Sequence, residues 1–253
     1  MTSGKVTLVG AGPGAADLLT LRAARALEEA DLVLYDALVA PDVLAHAKRA
    51  HCFYVGKRAG RHSVAQSTIH ALLVRGARRG KNVVRLKCGD PFVLGRGGEE
   101  VLALEAAGVA VEVVPGVTSA IAGPADAGVP VTHRGLAPGF LVLSAAPAEH
   151  YRRVLATLEP GTVTVVLLMA LGARAEIAAF LLERGWPREM PASIVIDATL
   201  PSAFTWCGAL EDLGRAEISQ RDEARGLVVL GPVVSLANVL RTKEEPWQMH
   251  RVP

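Results

Sequence analysis

Two short turns carry the residue types that chemistry would need. Gly10-Ala11-Gly12-Pro13-Gly14-Ala15 follows the apolar run Val6 to Val9, and Cys88-Gly89-Asp90-Pro91 follows the run Asn82 to Leu86. Each puts bare backbone past the carboxyl end of a predicted strand, where open α/β sheets bind ligands. A second glycine cluster, Gly95-Arg96-Gly97-Gly98, reopens the chain into a helix predicted from Glu99. Thr118-Ser119, Met169-Ala170 and Ala198-Thr199 are further small-residue turns after predicted strands. A set of exposed backbone groups with one acid, Asp90, suits a small polar cofactor with hydroxyls and an amine. It does not suit a triphosphate.

Other chemistries find less support. The first turn nearly satisfies the dinucleotide pattern GxGxxG/A, and Asp36 after the next strand could be its ribose-binding acid. Pro13, however, removes a backbone N–H where a pyrophosphate needs donors. A dinucleotide-dependent oxidoreductase is therefore a distant alternative. The seven histidines show no HExxH or paired spacing, and there is no GxSxG elbow and no Walker motif. No metal site is expected. Cys52, Cys88 and Cys207 have no CxxC spacing, which fits a reducing compartment rather than a disulfide framework.

The net charge of +2 hides a one-sided stretch. Between Val43 and Gly89 there is no acid, but Lys48, Arg49, Lys57, Arg58, Arg61, Arg75, Arg78, Arg79, Lys81, Arg85 and Lys87 are present. Such a run draws an anionic partner. Arg75, Arg78, Arg79 and Lys81 are better read as the solvated end of a helix, and Lys57, Arg58 and Arg61, in a glycine-bounded loop, as ligand contacts. No apolar segment reaches membrane-spanning length without a charge, so a soluble, cytoplasmic protein is expected, with no membrane or nucleic-acid partner.

The elements that must position these turns follow from periodicity. Apolar runs at Val6–Val9, Leu32–Tyr35, Cys52–Val55, Asn82–Leu86 and Val109–Val114 alternate with helical patterns, so a parallel sheet is expected. Thr20 caps a helix to Ala30, a short helix spans Pro41 to Lys48, Ser63 and Gln66 form a capping box for a helix to Arg79, and Gly108 closes one from Glu99. Pro115-Gly116 breaks the pattern. Beyond it, strands at Phe140–Leu143, Thr162–Met169, Ser193–Ile196, Phe204–Cys207 and Leu227–Leu230 include neighbours with no helix between them, so a mixed sheet is expected. The fold class is α/β with two α/β domains: residues 1–115 with a parallel sheet, 116–240 with a mixed sheet, and a mobile tail at 241–253.

The blocks GAGPG…LLTL, VGKRAGRHSVAQ, VVRLKCGDPFVLGRGGEE and VVPGVTSAIAGPADAGVPVTHRG resemble the tetrapyrrole methylases over roughly residues 5 to 240. The resemblance implies S-adenosylmethionine bound in a cleft between two α/β domains, a homodimer, and the addition of methyl groups to two pyrrole carbons of uroporphyrinogen III, giving precorrin-2 on the branch to sirohaem and cobalamin. Another precorrin as substrate, or a cofactor- or tetrapyrrole-binding paralogue with weak turnover, is the alternative. Carried over position by position, the cofactor contacts are Pro13, Cys88, Gly89, Asp90, Thr118, Ser119, Met169, Ala198 and Gly226. Arg58, Arg61, Lys87, Arg96 and Arg134 are the candidate partners for the eight carboxylates of the macrocycle, since guanidinium forks pair with carboxylates bidentately. The catalytic base is unassigned. The family's acid after GAGPG is Ala15 here, which leaves Asp17 as a candidate. Further departures stand at Cys88, Leu94, Asp126, Ser144-Ala145-Ala146, Leu168, Ala170 and Ala203.

Overall fold

In the computed structural model, which describes residues 4–56, 64–218 and 225–240, the chain forms two units. One runs through Ala122 and takes up Asp197–Ala203. The other holds Gly123–Ile196 and the described chain from Phe204.

The first unit contains β1 (Lys5–Gly10), α1 (Leu21–Glu28), β2 (Leu32–Tyr35), α2 (Pro41–Leu44), β3 (His51–Tyr54), α3 (Gln66–Arg78), β4 (Asn82–Lys87), α4 (Gly97–Ala106) and β5 (Val111–Val114). Its sheet has the order β3-β2-β4-β1-β5 with every pair parallel. Inner strands of such a sheet need apolar residues on both faces, and β1 and β4 are buried from their second residues onward. Parity then assigns the helices. Val6, Leu8 and Val83 join a core with Ile69 and Leu73 of α3 and Leu104 of α4. Val9, Val84 and Leu86 join the opposite core with Ala23 and Leu27 of α1 and Val43 of α2.

Local signals fix some helix ends. Thr20 caps α1 by accepting from the Ala23 N–H at 3.2 Å, and Gly108 follows α4 at φ +69°. Three expectations need correction. No side-chain hydrogen bond caps α3, whose N-cap is Ala65; Ser63 lies outside the described residues, and the Gln66 side chain turns away towards Glu100. The Pro41 helix ends at Leu44 and not Lys48, because His46 and Ala47 bond back three residues and tighten the chain. Helix α4 starts at Gly97, ahead of Glu99, with Arg96 as a left-handed N-cap.

The boundary between units falls within α5 (Ser119–Asp126). Then follow β6 (Phe140–Ser144), α6 (Ala148–Leu155), β7 (Thr164–Leu168), α7 (Arg174–Glu183), β8 (Pro191–Ile196), β9 (Phe204–Ala209), β10 (Gly226–Leu230) and α8 (Ala237–Leu240). The order is β6-β7-β10-β8-β9, parallel between β6 and β7 and antiparallel elsewhere. The mixed sheet is thus present. Its core gathers Tyr151 and Leu155 of α6, Ile177 and Leu181 of α7, and Val165, Leu167 and Ile194 of the sheet. The β8–β9 connection belongs to the first unit, which a linear division at residue 115 does not anticipate. The segment 241–253 expected as a tail lies outside the described residues. Among the described residues no helix is long and apolar enough to cross a membrane.

Candidate functional site

Strand order decides where the first unit can bind a ligand. The connection from β1 to β2 passes over β4 by way of α1, and that from β4 to β5 passes over β1 by way of α4. These helices lie on opposite faces. The adjacent carboxyl ends of β1 and β4 are therefore a topological switch point, the place in an open α/β sheet where a crevice forms. The two glycine-bearing turns of the sequence sit there.

The turns are joined through backbone. Gly12 and Gly89 form an antiparallel bridge, with N···O distances of 3.2 and 2.7 Å, and the Ala11 N–H donates to the Lys87 carbonyl at 2.7 Å. A third glycine closes the group. A Cβ on Gly116 would stand 2.2 Å from the Gly89 oxygen, and one on Gly10 would stand 2.5 Å from Gly116. Only glycine permits three chains to approach this closely. Asp90 holds the arrangement: its Oδ1 accepts from the Phe92 N–H at 2.8 Å and its Oδ2 from the Gly116 N–H at 3.0 Å. The acid expected to meet a ligand thus first fixes the turn, leaving its remaining lone pairs for other donors. Thr118 and Ser119 lie alongside, with a Cβ on Gly89 falling 3.8 Å from the Thr118 Cα and 3.9 Å from the Ser119 nitrogen. The Thr118 hydroxyl accepts from the Ala120 N–H at the start of α5.

On its other side the first turn meets the β8–β9 connection. The Ala15 N–H donates to Thr199 Oγ1 at 3.1 Å. A Cβ on Gly14 would come within 3.0 Å of Leu200 Cγ. Pro13 is buried and Ala198 half-buried. Pro13, Cys88, Gly89, Asp90, Thr118, Ser119 and Ala198 thus all belong to the connected turns of one unit. Asp17 is exposed in a 3-10 turn over Ala16–Leu18. In the second unit, Met169 follows β7 at φ +59°, more than half exposed. Gly226 opens β10 opposite Ile196, and a Cβ there would clash with Leu171 at 2.6 Å, so the Met169–Leu171 turn closes over it.

Of the proposed anion partners, Arg58 and Arg61 lie outside the described residues. Arg96 is exposed, and its guanidinium donates to Glu99, with Nε···Oε1 at 3.0 Å. Those bonds hold the Glu99 carboxyl below its ordinary pKa. Arg134 is exposed in the tight turn bridged by His133 and Ala137. Lys87 departs from its expected role. Parity turns Arg85 and Lys87 towards α3 and α4, where the Lys87 ammonium is buried and donates to Glu100 Oε1 at 3.1 Å. The same oxygen accepts from Gln66 Nε2 at 2.8 Å and Arg85 Nε at 3.2 Å. Burial, with the neighbouring Arg85 second, lowers the Lys87 pKa. Arg85 also donates to both oxygens of Asp36, at 2.7 and 2.9 Å. Asp36 is thereby committed to a cation and does not serve as a ribose acid. Helix α1 moreover begins only at Leu21, after the 3-10 turn, so the first turn presents no helix N-terminus to a pyrophosphate.

Sequence reasoning missed this network, although two cations at alternate positions of a buried strand were a signal for it. It also missed Leu200, and it placed Thr199 in a ligand turn without anticipating its bond to Ala15, far away in the chain. Backbone strain marks the same places. Among the described residues, the non-glycine positions with positive φ are Leu94, Arg96, Met169, Asp197 and Thr199, and all follow the carboxyl ends of β4, β7 and β8.

The family model described as Tetrapyrrole (Corrin/Porphyrin) Methylases matches residues 5–214. The chain is 44% identical over 258 residues to a siroheme synthase of Actinobacillus pleuropneumoniae serotype 7 (strain AP76), covering 97% of this chain and 53% of that protein. It thus spans about half the length of the curated siroheme synthases it matches. It is 42% identical over 239 residues to a uroporphyrinogen-III C-methyltransferase of Methanocaldococcus jannaschii, covering 92% of this chain and 98% of the relative. A crystal structure of a Thermus thermophilus uroporphyrin-III C-methyl transferase complexed with S-adenyl homocysteine superposes with a TM-score of 0.78 at 45% identity, over 92% of this chain and all of that one.

Proposed function

The chain belongs to the tetrapyrrole (corrin/porphyrin) methylases, and we propose that it transfers methyl groups from S-adenosylmethionine to two pyrrole carbons of uroporphyrinogen III, giving precorrin-2. The observation that carries this reading is the joined pair of bare-backbone turns at the switch point, in a chain whose length matches a uroporphyrinogen-III C-methyltransferase nearly end to end.

The turns fit such a cofactor. Gly12, Gly89 and Gly116 leave no side chain in the way, and backbone groups suit the hydroxyls and the amino-acid moiety of a nucleoside sulfonium. When bound, the cofactor supplies an electrophilic methyl on sulfur. The chain's own task is positioning. Pro13, Cys88, Gly89, Asp90, Thr118, Ser119 and Ala198 hold the cofactor, and Met169 and Gly226 keep their assignment as cofactor contacts from the family resemblance. Arg96 and Arg134, exposed and cationic, pair with substrate carboxylates, and Arg58 and Arg61 have the same assignment. Lys87 does not, because its ammonium is already paired inside the unit. In-line placement of two bound partners accounts for most of the rate, so no strong side-chain nucleophile is needed. Asp17, exposed beside the first turn, is the proposed acceptor for the proton that leaves the methylated ring. A cytoplasmic homodimer completes the proposal, supported by the family and by the free cysteines Cys52, Cys88 and Cys207.

Incubation under anaerobic conditions with S-adenosylmethionine and enzymatically made uroporphyrinogen III tests this, with the absorbance of oxidised precorrin-2 as the readout. Growth of that band supports the reading. Its absence in a protein that binds S-adenosylhomocysteine points instead to a binding paralogue.

A further inference from the structure

Thr199 combines two features that are hard to reconcile with a passive connection. Its φ is +69°, a region that β-branched residues avoid because Cβ crowds the adjoining carbonyls. Asp197, two residues earlier, is also left-handed, at +48°. Strain of this kind persists only where the surroundings over-determine it, and it concentrates at ligand sites. Here the surroundings are visible. The Asp197 carbonyl accepts from the Leu200 N–H, the Leu200 carbonyl accepts from the Ala203 N–H, and the Ser202 hydroxyl bonds Asp197 Oδ2 at 3.0 Å. This compact turn drives the Thr199 hydroxyl and the Leu200 side chain onto the Gly14-Ala15 end of the first turn.

The second observation lies in that first turn. Ala15 has φ −61° and ψ 133°, extended backbone whose N–H has no place in a helix ladder. Thr199 Oγ1 accepts that N–H at 3.1 Å across 184 residues of sequence. Gly14 is bare because Leu200 Cγ and Thr199 Oγ1 stand 3.0 and 3.2 Å from where its Cβ would be. The opposite end of the turn is fixed by the Gly12–Gly89 bridge. Pro13 is therefore held from both sides, by β4's turn through Gly12 and by Thr199 through Ala15.

We infer that Thr199 is a positioning residue for the cofactor: by accepting the Ala15 N–H it holds the Pro13 turn in its binding conformation. This rests on the cofactor reading given above. The hydroxyl acts through Ala15 and touches no reacting atom. A threonine with one strained backbone and one well-directed acceptor serves this purpose, whereas an acid at position 15 would not alter the backbone bond.

The test is calorimetric titration of the full chain with S-adenosylhomocysteine, comparing wild type with Thr199→Val, Thr199→Ala and Thr199→Ser. Valine keeps shape and β-branching but loses the acceptor. Alanine loses the acceptor and the branching, so it folds even if valine does not. Serine keeps the acceptor. One lost hydrogen bond predicts a Kd raised about fivefold to tenfold in Thr199→Val and Thr199→Ala, with Thr199→Ser within about twofold of wild type. A merely structural role would lower the melting temperature and leave Kd unchanged. Valine and alanine variants that bind as tightly as wild type overturn the inference. Wild type that fails to bind S-adenosylhomocysteine overturns the cofactor reading itself, and the inference with it.

Discussion

Lys87 illustrates how residue type alone misleads. Its place in an acid-free, basic stretch suggests an open cation, but the strand's alternation turns it inward onto Glu100, with Arg85 and Gln66. Removing Glu100 would leave the buried Lys87 ammonium without its carboxylate while Arg85 keeps Asp36, so Glu100→Ala should cost about 3–5 kcal/mol in urea unfolding. The lowered Lys87 pKa has a signed consequence. Between its depressed folded value and the ordinary lysine value, the unfolded chain binds more protons, so this group's contribution to stability rises with pH. Wild type should therefore gain on Lys87→Met between neutral pH and about pH 10, read as the difference in urea midpoints; a constant difference would remove the linkage. Arg134 has no such burial. Arg134→Ala should raise the KM for the tetrapyrrole roughly tenfold or more, as expected for a charged hydrogen bond, while S-adenosylhomocysteine affinity holds. Equal loss of both would take Arg134 out of the substrate contacts.

Elements were the more legible scale. Apolar runs and 3.6-residue periodicity located the strands and most helices, and Thr20 and Gly108 marked ends as their chemistry requires. What failed had tertiary causes. Gln66 reads as half of a capping box, yet Glu100 offers its amide a buried carboxylate. The β8–β9 connection reads as a small-residue turn at Ala198-Thr199, but its partners Gly14 and Ala15 lie at the far end of the chain and sequence spacing does not reveal them. Glycine is the instructive case, because sequence cannot tell a required glycine from a tolerated one. Gly116→Ala would drive a methyl against the Gly89 oxygen and should cost roughly 3 kcal/mol. Gly98→Ala meets nothing within 4 Å in the first turn of α4 and should stabilise by about 0.5 kcal/mol. Urea unfolding of the two variants checks both signs, and similar effects from the two would undo the close-approach argument at the switch point.

At the scale of the whole molecule, the parallel and mixed sheets follow from element order, and the family follows from blocks that keep their sequence across most of the chain. The strand order could not be read directly, because β1 and β4 become neighbours only through long connections. It is that adjacency which joins the two glycine turns through backbone. The departures at Ala15 and Leu94 leave this backbone arrangement intact, since Ala15 contributes its N–H and Leu94 adopts a left-handed backbone within the loop before α4. The most direct measurement is mass spectrometry of the tetrapyrrole after incubation with methyl-labelled S-adenosylmethionine and uroporphyrinogen III. A macrocycle carrying two labelled methyl groups on carbon is the expected product. An unlabelled macrocycle, recovered from a protein that binds S-adenosylhomocysteine, would contradict C-methylation by this chain.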